Sequence, residues 1–338
     1  MSEVRREMKA KRVRGGILLL KIGREYLILL GAFIAIMLIA GYFIPDFWSI
    51  NYQKELFRRS AILGILAIGQ AIVMIAKGVD LSVGASTMTL AIMAAIFFRE
   101  TPILMQYPWL VTVLIILLLG ISIGVINGLL IAFLKIPPVV VTLGMMTALS
   151  GITLVYTKGF PRGGSHKVLM EFMSTSEVIG IPAVVLMWVV VTLAIWFILR
   201  LTKYGREIYA IGSNPVAAHI SGIHVEKILT SVYAIAGLFA AVSSLLYLGR
   251  VVVPALSVAP AGIGMDFLLS SLAIPVLGGV TFRGGEGSIV GVFIASLLYG
   301  TIRGILIALG FGTAGILIFT GLVIALVSIV KQITARQQ

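Results

Sequence analysis

The 338-residue sequence contains no cysteine, only three histidines and few charged residues. Without cysteine the chain forms no disulfide and no thiolate metal site, and the histidines lack the spacing of a zinc motif. Charged residues make up 12% of the chain, against about 25% in ordinary soluble domains. This small polar share does not cover a water-soluble globule, which excludes a soluble enzyme and a disordered chain.

Apolar residues make up 59% of the chain. A helix needs about 20 predominantly apolar residues to cross a bilayer, so the composition predicts an all-α, polytopic membrane helix bundle of about ten transmembrane helices. The apolar runs lie at residues 26–44, 60–76, 81–98, 109–134, 139–156, 181–201, 228–248, 267–281, 289–309 and 313–330.

The net charge of +13 follows a membrane pattern rather than a nucleic-acid one. About twice as many Lys and Arg residues fall on the cytoplasmic side as outside when both termini are placed in the cytoplasm. We therefore predict a basic cytoplasmic segment at residues 1–25, a single transmembrane domain at 26–330 and a cytoplasmic tail at 331–338. No nucleic-acid-binding motif is present, and the first apolar run reads as a retained span rather than a cleaved signal peptide.

Residues 249–266 are apolar but broken by Pro254 and Pro260, so they do not fit a plain span. Irregular backbone at membrane depth must be buried in protein or line a cavity. The segment is interpreted as an external or re-entrant loop packed on the bundle, with a flexible turn between spans as the alternative. The same two interpretations apply to the Gly278–Gly279 pair.

Catalytic motifs are scarce. Gly120, Ser122 and Gly124 match the G-x-S-x-G pattern of hydrolases, but the match lies within a predicted span and favours helix packing. No G-x-x-x-x-G-K-[ST] phosphate loop occurs, so the chain does not bind ATP by that route. Few acidic residues lie near the membrane centre, which leaves an ion-coupled carrier open but unsupported.

Two loop segments carry local structural signals. Asp80 precedes the third predicted helix, where it either caps the helix or contacts a ligand. In the cytoplasmic loop at 202–227, Asn214 suits a helix N-cap, Pro215 the first helical position and Gly222 the residue after the helix. A helix of about two turns is marginal alone, so it docks on its own bundle or on another protein.

Four blocks make the chain resemble the ribose-type permeases of ABC transporters, the membrane subunits of monosaccharide importers. They are residues 78–84 (GVDLSVG), 137–146 (PPVVVTLGMM), 205–222 and 277–287 (LGGVTFRGGEG). The resemblance implies a cytoplasmic ATP-binding subunit, a periplasmic or extracellular solute-binding protein, and a second permease copy or paralogue in a dimer within membrane lipid. It implies no cofactor, no metal and no nucleic acid.

By the resemblance, the helix at 214–222 is a coupling helix seated in a cleft of the ATPase. The residues that match the family pattern for ATPase coupling are Gly205, Arg206, Tyr209, Asn214, Ala217, Ala218, Ser221 and Gly222. Candidates for the translocation pathway are Asp80, Ser82, Gly278 and Gly279. Pro275 departs from the pattern, and we expect it to kink the eighth span.

Together these features predict a multi-pass permease subunit in the cell (inner or plasma) membrane. It would import a small polar solute of the monosaccharide class, driven by a separate ATPase, without an ATPase site or catalytic residues of its own. An ion-coupled secondary transporter is the alternative, and an intramembrane enzyme using Ser122 is the third.

Overall fold

The computed structural model describes residues 27–160, 162–251, 253–254 and 263–336. Within them the chain is almost entirely helical, with one two-stranded hairpin. The elements are α1 Leu27–Phe43, α2 Ile50–Ile75, α3 Val83–Arg99, α4 Pro102–Met105, α5 Trp109–Ala132, α6 Pro138–Thr157, α7 Lys167–Ser174, β1 Glu177–Val178, β2 Ile181–Pro182, α8 Ala183–Leu201, α9 Lys203–Ser213, α10 Pro215–Ile220, α11 Val225–Val251, α12 Met265–Leu277, α13 Ile289–Ala308 and α14 Thr313–Arg336.

Each of the ten apolar runs overlaps a helix of this fold, although α2 begins at Ile50, ten residues before its run. Among the described residues, α2, α5, α6, α8, α11 and α13 are long and apolar enough to cross a membrane. The apolar helices α1, α3 and α12 are shorter, as is the apolar stretch Thr313–Ile329 of α14. The structure therefore agrees with the all-α membrane bundle predicted from composition.

Three predicted segments fall wholly or partly outside the described residues. The basic segment 1–25 is one, and half of the irregular segment 249–266 is another. The ends of that second segment are helical, because α11 continues to Val251 and α12 begins at Met265. At the C-terminus, α14 continues into the predicted tail and ends at Arg336.

Helices α2 and α3 form the centre of the bundle. The second half of α2 is buried without interruption from Ser60 to Ile75, and nearly all of α3 is buried. These two helices are surrounded by α5, α6, α8, α11, α12 and α13.

Three glycines of α5, at positions 120, 124 and 128, pack against α11. A Cβ at Gly120 would meet the carbonyl of Gly237, one at Gly124 would meet Tyr233, and one at Gly128 would meet Thr230. Small residues at this spacing let two helix backbones approach closely. The G-x-S-x-G match is therefore a packing feature within a helix, and the Ser122 hydroxyl donates to the carbonyl of Leu118.

The loops gather at two ends of the bundle. At one end, the N–H of Gly285 donates to the carbonyl of Ile75 at 2.8 Å, beside α9. At the other end, Glu177 of the hairpin forms ion pairs with Lys54 and Arg58. The loop of Gly285 and the end of α2 thus lie together, as do the hairpin and the start of α2. Each pair was predicted to share one side of the membrane from the distribution of Lys and Arg.

Candidate functional site

Helix α10 begins with the predicted cap. The Asn214 side-chain oxygen accepts hydrogen bonds from the N–H groups of Val216 and Ala217 at 3.0 and 3.1 Å. Pro215 occupies the first helical position, where its missing N–H costs nothing. The local sequence therefore sets where α10 starts.

The end of α10 is equally well defined. Gly222 has φ +82, and its N–H donates to the carbonyl of His219 at 3.0 Å. The next N–H, of Ile223, donates to the carbonyl of Ala218 at 3.1 Å. This pair of bonds is a Schellman motif, which satisfies the last carbonyls of a helix and favours glycine in the left-handed position.

The six-residue helix presents an unpaired apolar face. Val216 is 68% exposed and Ile220 80% exposed, although both are apolar and lie one turn apart. Ala218 is the residue of α10 that is buried. Of the other predicted coupling residues, Arg206, Asn214, Ala217, Ser221 and Gly222 are exposed on the same loop.

The preceding helix, α9, packs tightly on the end of α8. The Thr202 hydroxyl accepts from the N–H of Gly205 at 3.2 Å. Gly205 is buried, and a Cβ there would meet the carbonyls of Ile198 and Leu199. Glycine at 205 therefore allows α9 to turn back directly against α8.

The other end of α9 is held by the glycine-rich loop at residues 281–288. The Tyr209 hydroxyl donates to the carbonyl of Gly287 at 2.9 Å. A Cβ at Gly212 would meet the carbonyl of Ile75 and the N–H of Gly285. The predicted coupling segment thus contacts both the end of α2 and the loop that follows α12.

The second predicted cluster, Asp80 and Ser82, is buried at the start of α3. Asp80 accepts from the N–H of Ser82 at 2.8 Å and from its hydroxyl at 2.6 Å. Ser82 in turn accepts from the Asn127 amide of α5 at 3.0 Å. Ser82 is the residue at the N-cap position and makes no side-chain cap bond to the helix, so Asp80 lies two residues before the N-cap.

Gly278 and Gly279 form the end of α12. The N–H of Gly279 donates to the carbonyl of Val276 at 3.3 Å, and that of Val280 to the carbonyl of Pro275 at 2.9 Å. Gly279 has φ +96. Pro275 itself lies in the last turn of α12, which remains continuous to Leu277.

The starts of α3 and α12 meet inside the bundle. A Cβ at Gly84 would meet the carbonyl of Gly264, and one at Gly264 would meet the backbone of Gly84. A cavity of about 20 Å³, room for one water molecule, lies beside this contact between Ala85, Ser150 and Leu268. The bundle is therefore closed at this point.

Sequence reasoning missed one polar contact within the bundle. Arg303 of α13 forms two hydrogen bonds with the Asp266 carboxylate of α12, at 2.6 and 2.7 Å. An arginine within one apolar run and an aspartate at the boundary of the preceding run are the signal that could have revealed it, because charges inside a membrane segment are normally paired.

The chain is similar in sequence to a known family of membrane proteins. Residues 54–328 match the family described as "Branched-chain amino acid transport system / permease component". The chain belongs to this permease family. It is therefore a multi-pass membrane transport component rather than an enzyme.

Individual relatives support the same assignment. The chain is 36% identical to the ribose import permease protein RbsC of Haemophilus influenzae over 287 residues, which are 83% of this chain and 85% of the relative. It is 33% identical to RbsC of Escherichia coli K12, covering 88% and 91% of the two chains. Identity to the galactose/methyl galactoside import permease protein MglC of Haemophilus influenzae is 29%, covering 77% and 80%. No solved structure matches the chain.

Proposed function

We propose that this chain is the membrane-spanning permease subunit of an ATP-binding-cassette importer. It moves a small polar solute into the cell, and a separate cytoplasmic subunit hydrolyses ATP. The observation that carries the proposal is the apolar pair Val216 and Ile220, which stays exposed on a well-capped helix next to the bundle.

The coupling segment is suited to receive a mechanical push. Its helix α10 has fixed ends at Asn214 and Gly222, while α9 contacts the backbone at Ile75 and in the 281–288 loop. Burying Val216 and Ile220 against a partner would contribute about 1.5–3 kcal/mol for each side chain. We infer that the partner is the ATPase subunit and that its closure displaces α10 together with α9.

The proposed topology has ten membrane spans with both termini in the cytoplasm. Its support is the excess of Lys and Arg in the segments assigned to that side. The end of the bundle that holds α9, α10 and the 281–288 loop is then cytoplasmic. The end with the Glu177 ion pairs faces outward, where a solute-binding protein delivers the substrate.

A monosaccharide is the proposed substrate class. The family description names branched-chain amino acids, whereas the relatives described above are ribose and galactose permeases. The chain pairs with a second permease, and solute passes between outward-open and inward-open states. Asp80, Ser82, Gly278 and Gly279 remain predicted pathway residues, and their bonds within the closed bundle would have to rearrange for contact with solute.

The test is copurification of the ATPase from native membranes in mild detergent. We expect the tagged chain to retain a stoichiometric partner that carries a phosphate-loop ATPase. Val216→Asp with Ile220→Asp should lose this partner while membrane insertion stays normal, because neither side chain is buried in the chain itself.

Ile179→Asp is the matched control. Ile179 is 97% exposed in the hairpin turn at the opposite end of the bundle, so an aspartate there adds a negative charge away from the proposed interface. It should leave the ATPase bound. A chain that purifies alone under conditions that keep other complexes intact would overturn the proposal and favour an ion-coupled carrier.

A further inference from the structure

We propose that Asp266 and Arg303 are positioning residues for transport, because their ion pair makes α12 and α13 one rigid unit that carries motion from α9 into the bundle. This inference rests on the proposed function. It assigns a role in energy coupling to a side-chain pair that lies away from the coupling helix.

The first step of the path runs from α9 to α12. Tyr209 of α9 holds the carbonyl of Gly287, and a Cβ at Gly212 would meet the backbone of Gly285. The loop at 281–288 follows directly on α12, which ends at Leu277. A displacement of α9 therefore reaches the C-terminal end of α12 through backbone contacts.

The second step is the attachment of α12 to α13 at that end. A Cβ at Gly278 would meet the backbone of Gly291 and Val292, and one at Gly291 would meet the carbonyl of Gly278. The two backbones are in direct contact here. One contact fixes a point between two helices but allows them to rotate about it.

The third step is the ion pair at the opposite end of α12. Arg303 holds both carboxylate oxygens of Asp266, at 2.6 and 2.7 Å. Asp266 is twelve positions before Gly278, which at 1.5 Å per residue separates the two attachments by about 18 Å along α12. Two attachments this far apart prevent α12 from rotating relative to α13. The bidentate ion pair also fixes the direction of the contact, which a single charge contact does not.

A hydroxyl network lies one helical turn from the ion pair. The Tyr299 hydroxyl lies 2.9 Å from that of Ser270 in α12 and 2.8 Å from that of Thr320 in α14. Tyr299 lies one helical turn before Arg303 on α13, and Ser270 lies one turn after Asp266 on α12. The network extends the rigid unit to α14 and satisfies hydroxyls that are buried inside the bundle.

The final step connects this unit to the centre of the bundle. Asp266 lies in the first turn of α12, two residues after Gly264. Gly264 is in backbone contact with Gly84 at the start of α3, beside the small cavity. With α12 held on α13, a push from α9 separates the starts of α3 and α12 rather than only rotating α12.

The experiment uses the complete importer, with its ATPase and solute-binding subunits, in proteoliposomes. Solute uptake and ATP hydrolysis are measured together for Arg303→Lys, which keeps the charge but loses the two-point geometry, and for Asp266→Asn. We expect uptake per ATP hydrolysed to fall about fivefold or more in each variant. The concentration of solute-binding protein that gives half-maximal ATP hydrolysis should stay unchanged.

Glu177→Gln is the matched control, since Glu177 has the same 28% side-chain exposure as Asp266 and also forms ion pairs. It should keep the wild-type ratio of uptake to hydrolysis. If both Arg303→Lys and Asp266→Asn keep that ratio within about twofold, the inference is overturned. If Asp266→Asn fails to insert, Arg303→Lys decides. Wild-type complex that hydrolyses ATP without uptake would instead contradict the proposed function.

A second readout uses the absence of cysteine in the chain. Leu277→Cys at the end of α12, which is partly exposed, and Ile307→Cys on α13, which is exposed, are the positions for spin labels. We expect the mean distance between the labels to be the same in the nucleotide-free and the ATP-bound complex. The distribution of distances should broaden when Arg303→Lys is added. A change between the two states of otherwise wild-type complex that exceeds the label spread would show that the helices are not one unit.

Discussion

Replacing Gly222 with valine tests whether the shape of α10 controls coupling. Gly222 has φ +82, a conformation that side chains other than glycine rarely adopt, and it directs two hydrogen bonds that end the helix. No other group lies within 4 Å of the position a Cβ would occupy. The effect of the substitution is therefore on backbone conformation and not on packing.

The magnitude follows from that geometry. An L-residue in the left-handed region costs about 1–2 kcal/mol, and a β-branched side chain is among the least tolerant. This lowers the ratio of correctly ended to frayed helix about 5- to 30-fold. Since α10 has only six residues and contributes only Ala218 to the buried interior, insertion and thermal stability should remain close to wild type.

The assay measures ATP hydrolysis and solute uptake by the assembled importer in proteoliposomes. We expect Gly222→Val to lower uptake severalfold while the chain is inserted at its normal level. Gly222→Asn is the matched variant, because asparagine adopts the left-handed conformation at low cost. Full uptake by the valine variant, or an equal loss in the asparagine variant, would refute the reasoning.

Three further predictions concern helix α9 and the start of α7. Gly212→Ala should lower the melting temperature and uptake, because its Cβ would meet the backbone at Ile75 and overpacking costs about 1–3 kcal/mol. Gly144→Ala, with no group within 4 Å, should change neither. The pKa of His166 is lowered by burial and by the Arg99 charge, so hydrogen exchange in α7 should quicken as pH falls below about 6.5. His166→Asn should remove this pH dependence, while an unchanged pH profile in that variant would contradict it. Tyr209→Phe should lower the uptake of solute per ATP hydrolysed, since it loses the hydrogen bond to the carbonyl of Gly287 at 2.9 Å. A wild-type ratio in this variant would show that the hydrogen bond does not carry motion from α9 to the loop.

The pH prediction has a definite sign. The His166 ring nitrogen Nδ1 accepts from the N–H of Val168 at 3.3 Å, so the folded state requires the neutral ring. Because the pKa is lower in the folded chain than in the unfolded one, the unfolded chain binds more protons between the two values. The stabilisation is present above the ordinary histidine pKa and is lost as pH falls through the window below it.

Local signals were the most predictable part of the site. Asn214 and Gly222 act through hydrogen bonds to residues within three positions, and Pro215 acts through its missing N–H, so the sequence alone indicates both ends of α10. The apolar runs predicted the helices for a similar reason, since each run needs only enough apolar length to cross a bilayer.

Contacts between distant segments were not predictable in the same way. The glycine-rich loop and α9 were both noticed in the sequence, but nothing in either indicates that Gly212 touches Gly285. Asp80 was expected either to cap α3 or to contact a ligand, and it accepts from the N–H and the hydroxyl of Ser82, the N-cap residue. These partners are set by how the helices pack, which depends on all of them together.

The Asp266–Arg303 pair shows a third kind of difference. Arg303 was placed within the ninth apolar run and Asp266 at the boundary of the eighth, and neither was assigned a partner. Charge pairing inside membrane segments is a general rule, but a helical period does not determine which faces of two helices meet. Their contact at 2.6 Å required the structure.

The most direct test of the central claim is uptake by the purified importer in proteoliposomes under two separate driving forces. With ATP supplied to the ATPase side and ionophores present, the account predicts solute accumulation inside the vesicles. With an ion gradient and no ATP, it predicts none. Accumulation driven by the ion gradient alone, by this chain without any ATPase subunit, would contradict the account and establish a secondary transporter.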